Sequence, residues 1–537
     1  MPDKVLPDQP NLEQYKKQAK DLLHAQAQAT PAALDRIARY HPRLRNQPPD
    51  VILDLPFHLA DAQLVVAREH GFESWPEFAG HIERLQLTRT AASLADPAAA
   101  FIEAACVPRD GHSSGTLEQA ETILARYPHV AAASIYTAAI LADEAAVRAF
   151  LADDSKSATV KGGPRGWDAL THLCFSRYLR VDRARGDAFV RTARALLDAG
   201  ASANTGWIEM IDHPNPRPVI EAAIYGAAAI AQHAGLTRLL LERGADPNDE
   251  ETPYHVIETR DNTVLKLLLE SGRLNTRSLS TMLNRKCDWH DLEGLRLVLE
   301  HGVDPNRITG WGNGVLHQAV RRDNSLKMIE LLLDYGADPS LPNREGKSAI
   351  AMAARRGRAD ALDLFELRGT AIALTGVDAL VAACARDKKG SILSLTAAEP
   401  QSKSEAIEHG GTLLAEFSGV GNLAGVRNLL DLGVSVTALY REGDGYYGVA
   451  KGSTALHVAA WRARPEVVKE LIARGAPVNA IDGQGRTALQ LAVKACVDSY
   501  WTDRRSPDSV RALLEARAST VGIELPTGYD EVDELLR

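Results

Sequence analysis

One segment returns along the chain with the same shape: two apolar residues, any two, glycine, then a small residue. It reads ALLDAGASAN at 195–204, LLLERGADPN at 239–248, LVLEHGVDPN at 297–306, LLLDYGADPS at 331–340, NLLDLGVSVT at 428–437 and ELIARGAPVN at 470–479. In each copy the glycine follows the last apolar turn, the place where a left-handed residue ends a helix with least strain. Weaker copies carry Gly272, Gly369, Asp154 and Arg517 at that position. A unit this short cannot bury a core alone, so the period itself dictates a stack in which each unit covers the next.

A second motif lies about twelve residues beyond each glycine. Its copies are TPYHVIE from 252, GVLHQAV from 314, STALHVAA from 453 and RTALQLAV from 486, with RPVIEAA, KSAIAMAA and GTLLAEF as degraded versions. Thr or Ser ahead of an alanine-rich run is a helix N-cap, so each unit reads as a turn or finger, a small-residue helix, a tight turn and a leucine-rich helix. These paired motifs resemble the ankyrin-repeat family, with its period near 33 residues and its T-P-L-H-x-A signature. Residues 475–489, GAPVNAIDGQGRTAL, fit best. The glycine-equivalent positions 154, 200, 244, 272, 302, 336, 369, 399, 433, 475 and 517 are regular in the middle, while the outer intervals carry insertions. The resemblance implies an all-α fold, a solenoid of about twelve divergent helix pairs over residues 96–520. It also implies that His255, His317 and His457, at the T-P-L-H position, hydrogen-bond within and between neighbouring repeats.

Ahead of the array, residues 11–29 place Leu12, Tyr15, Ala19, Leu22, Leu23 and Gln26 on one helical stripe. A second helix is expected at 31–40, and a third stretch runs to Gly71 and a capping box at Ser74 and Glu77. Residues 1–88 are therefore expected to form an N-terminal helical cap over the first repeat, and 521–537 an acidic tail.

The 61 Lys and Arg against 70 Asp and Glu leave a net charge of −9, no basic surplus for a phosphate backbone, so nucleic acid is not an expected partner. Cys106, Cys174, Cys287, Cys384 and Cys496 are scattered and odd in number, which argues against a disulfide framework and a structural zinc site and for a reducing compartment. The charged opening lacks the apolar core of a signal peptide, and the most apolar run, 219–236, is broken by Glu221, Gln232 and His233. A cytoplasmic monomer with no membrane segment is expected.

Four strings imitate catalytic or ligand motifs. GHSSG at 111–115 lacks the buried strand that a nucleophile elbow needs, and reads instead as a loop before a Thr116 and Gln119 capping box. GDGYYG at 443–448 has no strand leading into it, so it reads as a finger insertion rather than a dinucleotide turn. GKS at 346–348 lacks the earlier glycine of a phosphate loop and reads as a repeat turn capped by Ser348. CDWHD at 287–291, with His301, offers two close metal-ligand types where four are needed. No catalytic, cofactor or metal residue is assigned, and the chain is not expected to be an enzyme.

Aromatic residues concentrate in Gly-flanked fingers: Trp167, Trp207, Trp311, Tyr440, Tyr446 and Tyr447. A second cluster, Tyr500, Trp501, Arg504 and Arg505, sits in an insertion between two helices. Aromatics and arginine anchor interfaces, so these ten are the partner-binding candidates, with packing over neighbouring fingers as the alternative for each ring. The expected function is a non-catalytic protein-interaction scaffold that binds a partner of unknown identity through its fingers and concave face. The alternatives are a secreted effector acting on host proteins, or a hydrolase-type enzyme fused to repeats.

Overall fold

The computed structural model describes every residue except 1–3, 5, 8, 9, 56, 109–114, 212–215 and 500. The GHSSG string therefore lies almost wholly outside the described residues, as does Tyr500. The chain forms two compact units, residues 1–256 with 263–273, and residues 257–262 with 274–537.

The first unit opens with helices Leu12–Ala27, Pro31–Tyr40, Pro49–Asp54, Leu59–Glu69 and Trp75–Ala92. Asn11 caps the first by accepting from the Glu13 amide, and Ser74 caps the last by accepting from the Glu77 amide. Of the expected stripe, Leu12, Tyr15, Ala19, Leu22 and Gln26 are buried and Leu23 is partly buried, against Val65, Val66, Phe78 and Ile82. Glu69 is buried there too, because Lys4 Nζ and Arg36 Nε each reach it at 2.6 Å, and these cations hold its carboxyl below the usual range against the cost of burial. Helix pairs follow, among them Ile135–Ile140 with Glu144–Asp153 and Ala169–Cys174 with Gly186–Asp198. The expected Thr116 cap is absent: helix Glu118–Arg126 starts from Leu117 with no side-chain cap.

RPVIEAA departs most from expectation. It is an extended strand, β2 (Arg217–Ala222), paired antiparallel with β1 (Gly206–Ile211) in a hairpin. The cause is a period of two: Val219 and Glu221 turn inward while Pro218 and Ile220 turn out, which no helix can satisfy. Gly206 is required, since a Cβ there would sit 2.3 Å from the Glu221 carbonyl oxygen. A shorter pair, β3 (Leu439–Tyr440) with β4 (Ser453–Thr454), closes the 440–452 insertion in the second unit. The fold is thus mostly helical, as expected, with two small hairpins among the described residues.

The second unit stacks helix pairs. They include Thr276–Asp288 with Leu292–Glu300, Val315–Arg321 with Leu326–Asp334, Ala349–Arg355 with Ala359–Leu367, and Ala455–Trp461 with Pro465–Ala473. The expected terminating glycines, from Gly200 through Gly475, take φ from 65° to 112°, and Arg517 takes φ 60° in the same role. Position 399 differs: Glu399 has φ −131° and leads into an additional helix, Pro400–Glu408. Neighbouring turns are laced by the asparagine four residues after the terminating glycine. Asn306 donates to the Gly336 carbonyl at 2.9 Å and accepts from the Asp338 amide at 2.8 Å, and Asn204 does the same to Gly244 and Asp246 in the first unit.

His317 and His457 each place Nε2 against two carbonyls of the next finger, Leu341 and Lys347 for one, Ala480 and Arg486 for the other. His255 Nε2 meets the Glu251 carboxylate at 3.3 Å. No helix among the described residues is long and apolar enough to cross a membrane.

Candidate functional site

The turn between the two helices of a repeat recurs with a residue in the left-handed region: His290 at φ 50°, Asp323 at 49°, Gly357 at 73°, Asp387 at 52° and Ala463 at 51°. For the non-glycine residues this conformation is strained, and it persists only where surrounding contacts fix it. The residue before the turn caps the first helix and is arginine four times: Arg322, Arg356, Arg386 and Arg462. In the second unit the turns at 289–290, 323–325 and 462–464 wall a cleft of about 890 Å3.

Two insertions complete that cleft. The 440–452 arm brings Tyr446 and Tyr447 to it, and the 499–508 loop brings Trp501, Asp503 and Arg504. Tyr446 donates its hydroxyl to the Asp288 carbonyl at 2.5 Å, and Tyr447 donates to Asp323 Oδ2 at 3.1 Å. Arg322 stacks over the Tyr446 ring and Arg462 over the Tyr447 ring, each 3.7 Å from the centroid. The GDGYYG string is therefore a tethered arm, consistent with a finger insertion and not with a nucleotide turn.

Charge around the cleft resolves into two sets. Arg285 bridges Glu258 and Asp288 at 2.6 and 2.8 Å, and Arg322 joins Asp288 at 2.6 Å. Arg356 bridges Asp323 and Glu416 at 3.3 and 2.9 Å, and Arg462 joins Asp323 at 2.9 Å. Four acids thus balance four arginines, and the guanidinium groups of Arg356 and Arg462 hold the Asp323 carboxyl far below its ordinary value. Arg260, Arg464, Arg504 and Asp503 stand outside this balance, with no ion pair among the described residues. Burial and the neighbouring Arg504 and Arg462 charges push Arg464 down to about 9, and burial with Arg462 lowers Arg504 too. His290 is lowered by burial and kept in place by Asn324 at 3.1 Å from Nδ1.

The nine candidate residues that the structure describes fall into separate places. In the first unit Trp167 and Trp207 are buried and stacked, centroids 5.4 Å apart, with Arg165 over Trp167. In the second unit Trp311 is 56% exposed on its finger. Tyr440 is buried and donates to Glu416 at 2.7 Å. Tyr446, Tyr447, Trp501 and Arg504 meet at the cleft, and Arg505 turns away to donate to the Ser499 carbonyl. Trp289, 40% exposed on the cleft wall, and Arg464 were not among the candidates. The signal for them is the recurrence of arginine before the inter-helix turn, doubled in the string WRARPE at 461–466.

The CDWHD string gathers no ligands: Cys287 is buried between the Leu283 and Val315 carbonyls, its thiol pushed well up by burial, and His301 lies exposed against Leu297. No group of three or more His, Cys, Asp or Glu among the described residues stands close enough to hold a metal ion.

A family model described as ankyrin repeats (many copies) matches residues 298–362 and 429–492, both within the second unit. The chain carries ankyrin repeats over these residues. Among solved structures, the human ASB11 ankyrin repeat domain matches at 22% identity with a TM-score of 0.22, covering 49% of this chain and 96% of that one. No curated protein matches the chain.

Proposed function

We propose that the chain is a non-catalytic protein-interaction scaffold whose contact site is the cleft of the second unit, where a segment of the partner lies between the inter-helix turns and the two insertions. Ankyrin repeats in general mediate protein–protein interaction, which supports the coarse reading. The observation that carries the finer one is the cleft's composition: Trp289 open on the wall, Tyr446, Tyr447 and Trp501 fixed around it, and three arginines, Arg260, Arg464 and Arg504, without an ion pair among the described residues. Aromatic and arginine side chains held rigid by their neighbours lose little freedom on binding and so anchor a contact well. His290 is engaged with Asn324 and Tyr446, and Asp288 and Asp323 with arginines.

A photo-crosslinking side chain placed at Trp289 tests this in cell extract, with the same group at Leu367, 81% exposed on a repeat helix of the same unit, as comparison. A protein crosslinked through 289 and absent from the 367 sample is expected. Identical products from both positions, or none from either, would overturn the assignment.

A further inference from the structure

The charge pattern of the cleft narrows the chemistry of its occupant, provided that the cleft is the partner site proposed above. The chain carries a net charge of −9, yet the cleft is lined by five arginines against three aspartates. Ion pairing accounts for Arg285 and Arg462 but not for Arg260, Arg464 and Arg504, against which Asp503 is the lining carboxylate left over. Arg464 spends its Nε–H on the Gly419 carbonyl at 3.0 Å, and Arg504 leans on the Trp501 ring at 5.6 Å. Neither contact neutralises charge. Arg462 adds an independent sign: it is 4% exposed, lines the same cleft, and its Nε has no hydrogen-bond partner among the described residues. A buried N–H without an acceptor is costly, and a site that retains one beside arginines in excess of its carboxylates is short of an anion with several oxygens.

The amount of charge selects the anion. A carboxylate brings one negative charge, whereas a phosphate monoester brings about −1.5 to −2 at neutral pH and three acceptor oxygens, which arginine forks match in geometry. We propose that the cleft receives a phosphate monoester carried on a side chain of the protein partner, with Arg464 and Arg504 as its counter-charges and Trp289 beside it.

The test uses the full chain, immobilised, with proteolytic peptides of a cell extract applied before and after phosphatase treatment, and calorimetric titration with phenyl phosphate and benzoate alongside. Peptides retained only before phosphatase treatment, displaced by phenyl phosphate and not by benzoate, are expected. Arg504→Gln, whose side chain holds no other part of the fold by a hydrogen bond or ion pair among the described residues, is expected to weaken phenyl phosphate binding about tenfold without changing the melting temperature. Arg464→Gln is expected to act in the same direction, and an effect of both substitutions on melting but not on binding would overturn the proposal. Equal retention of dephosphorylated peptides overturns the phosphate and leaves the partner cleft standing. Phenyl phosphate bound with no peptide retained overturns the partner as the source of the phosphate. Binding of neither overturns both.

Discussion

Lys286 lies at 0% exposure in the core of the second unit, a place where an ammonium group survives only if every proton finds an oxygen. It does: Nζ donates to Asn262 Oδ1 and Asp291 Oδ2 at 2.7 Å and to the Thr259 carbonyl at 3.0 Å, with the Ile257 carbonyl a further acceptor at 3.3 Å. All of these acceptors except Asp291 belong to residues 257–262, the short segment that joins this unit apart from its sequence neighbours. Lys286→Met leaves Asp291 buried without its cation and is expected to cost about 3–5 kcal/mol, read as a lower urea midpoint for the second unit. Asp291 also caps the following helix through the Gly294 amide, so Asp291→Ala loses both contacts.

In the first unit the opposite imbalance appears at Glu221. Burial, then the charges of Glu251 and Glu209, push its carboxyl up to about 9, and burial pushes Asp249 up to about 7. An unfolded glutamate titrates near about 4.3, so above that pH the unfolded state releases a proton that the folded state keeps. Stability of the first unit is therefore expected to fall as pH rises from about 4.3 to about 9 and then to level. Glu221→Gln should flatten that decline, and thermal melts across the range for both proteins check it.

At the scale of elements, the repeats were legible because their punctuation is chemical. A glycine in the left-handed region and a Thr or Ser cap each act through the local backbone, so Gly302, Gly336 and Gly475 mark helix ends without reference to the rest of the chain. Arg517 occupies that place at φ 60° with a Cβ, and Arg517→Gly is expected to stabilise the second unit by about 1 kcal/mol in denaturant titration. The hairpin was missed because RPVIEAA carries two signals at once, its position in the repeat frame and its alternation of two. The alternation won since Trp207, Val219 and Glu221 pack inward from paired strands. That pairing leaves Ile208 62% exposed with Met210 and Ile220 beside it.

The cleft was half legible for a related reason. Aromatics in fingers were visible as a class, but whether a ring packs or lines a cavity depends on partners far along the chain. Trp167 finds Trp207 in the very next finger, while Tyr446 finds Asp288 across 158 residues. Local patterning carries no information about the second kind of contact. The arginines before the turns belong to the first kind, since their spacing follows the repeat.

For the whole molecule, residues 1–88 remain a proposed cap. Helix Trp75–Ala92 packs on helix Glu118–Arg126, and Tyr127 donates to the Ala92 carbonyl at 3.4 Å. Truncation of 1–88 is expected to uncover that apolar face and to lower the melting temperature or solubility. An equally stable, monomeric fragment would show that the array closes itself.

The arm that carries Tyr446 and Tyr447 changes what kind of polymer the second unit is. A plain repeat array unravels from its ends, each unit held only by its neighbours, and folding can begin anywhere along it. Hydrogen bonds from Tyr446 to Asp288 and from Tyr447 to Asp323 span 158 and 124 residues, and the Arg462 pair with Asp323 spans 139. Such ties form late, because a long loop must close before they can act, but once made they link distant repeats into one cooperative block. Fraying from one side then has to break the arm as well as the next interface, so the second unit should come apart in a single step where an unlaced array would melt by degrees.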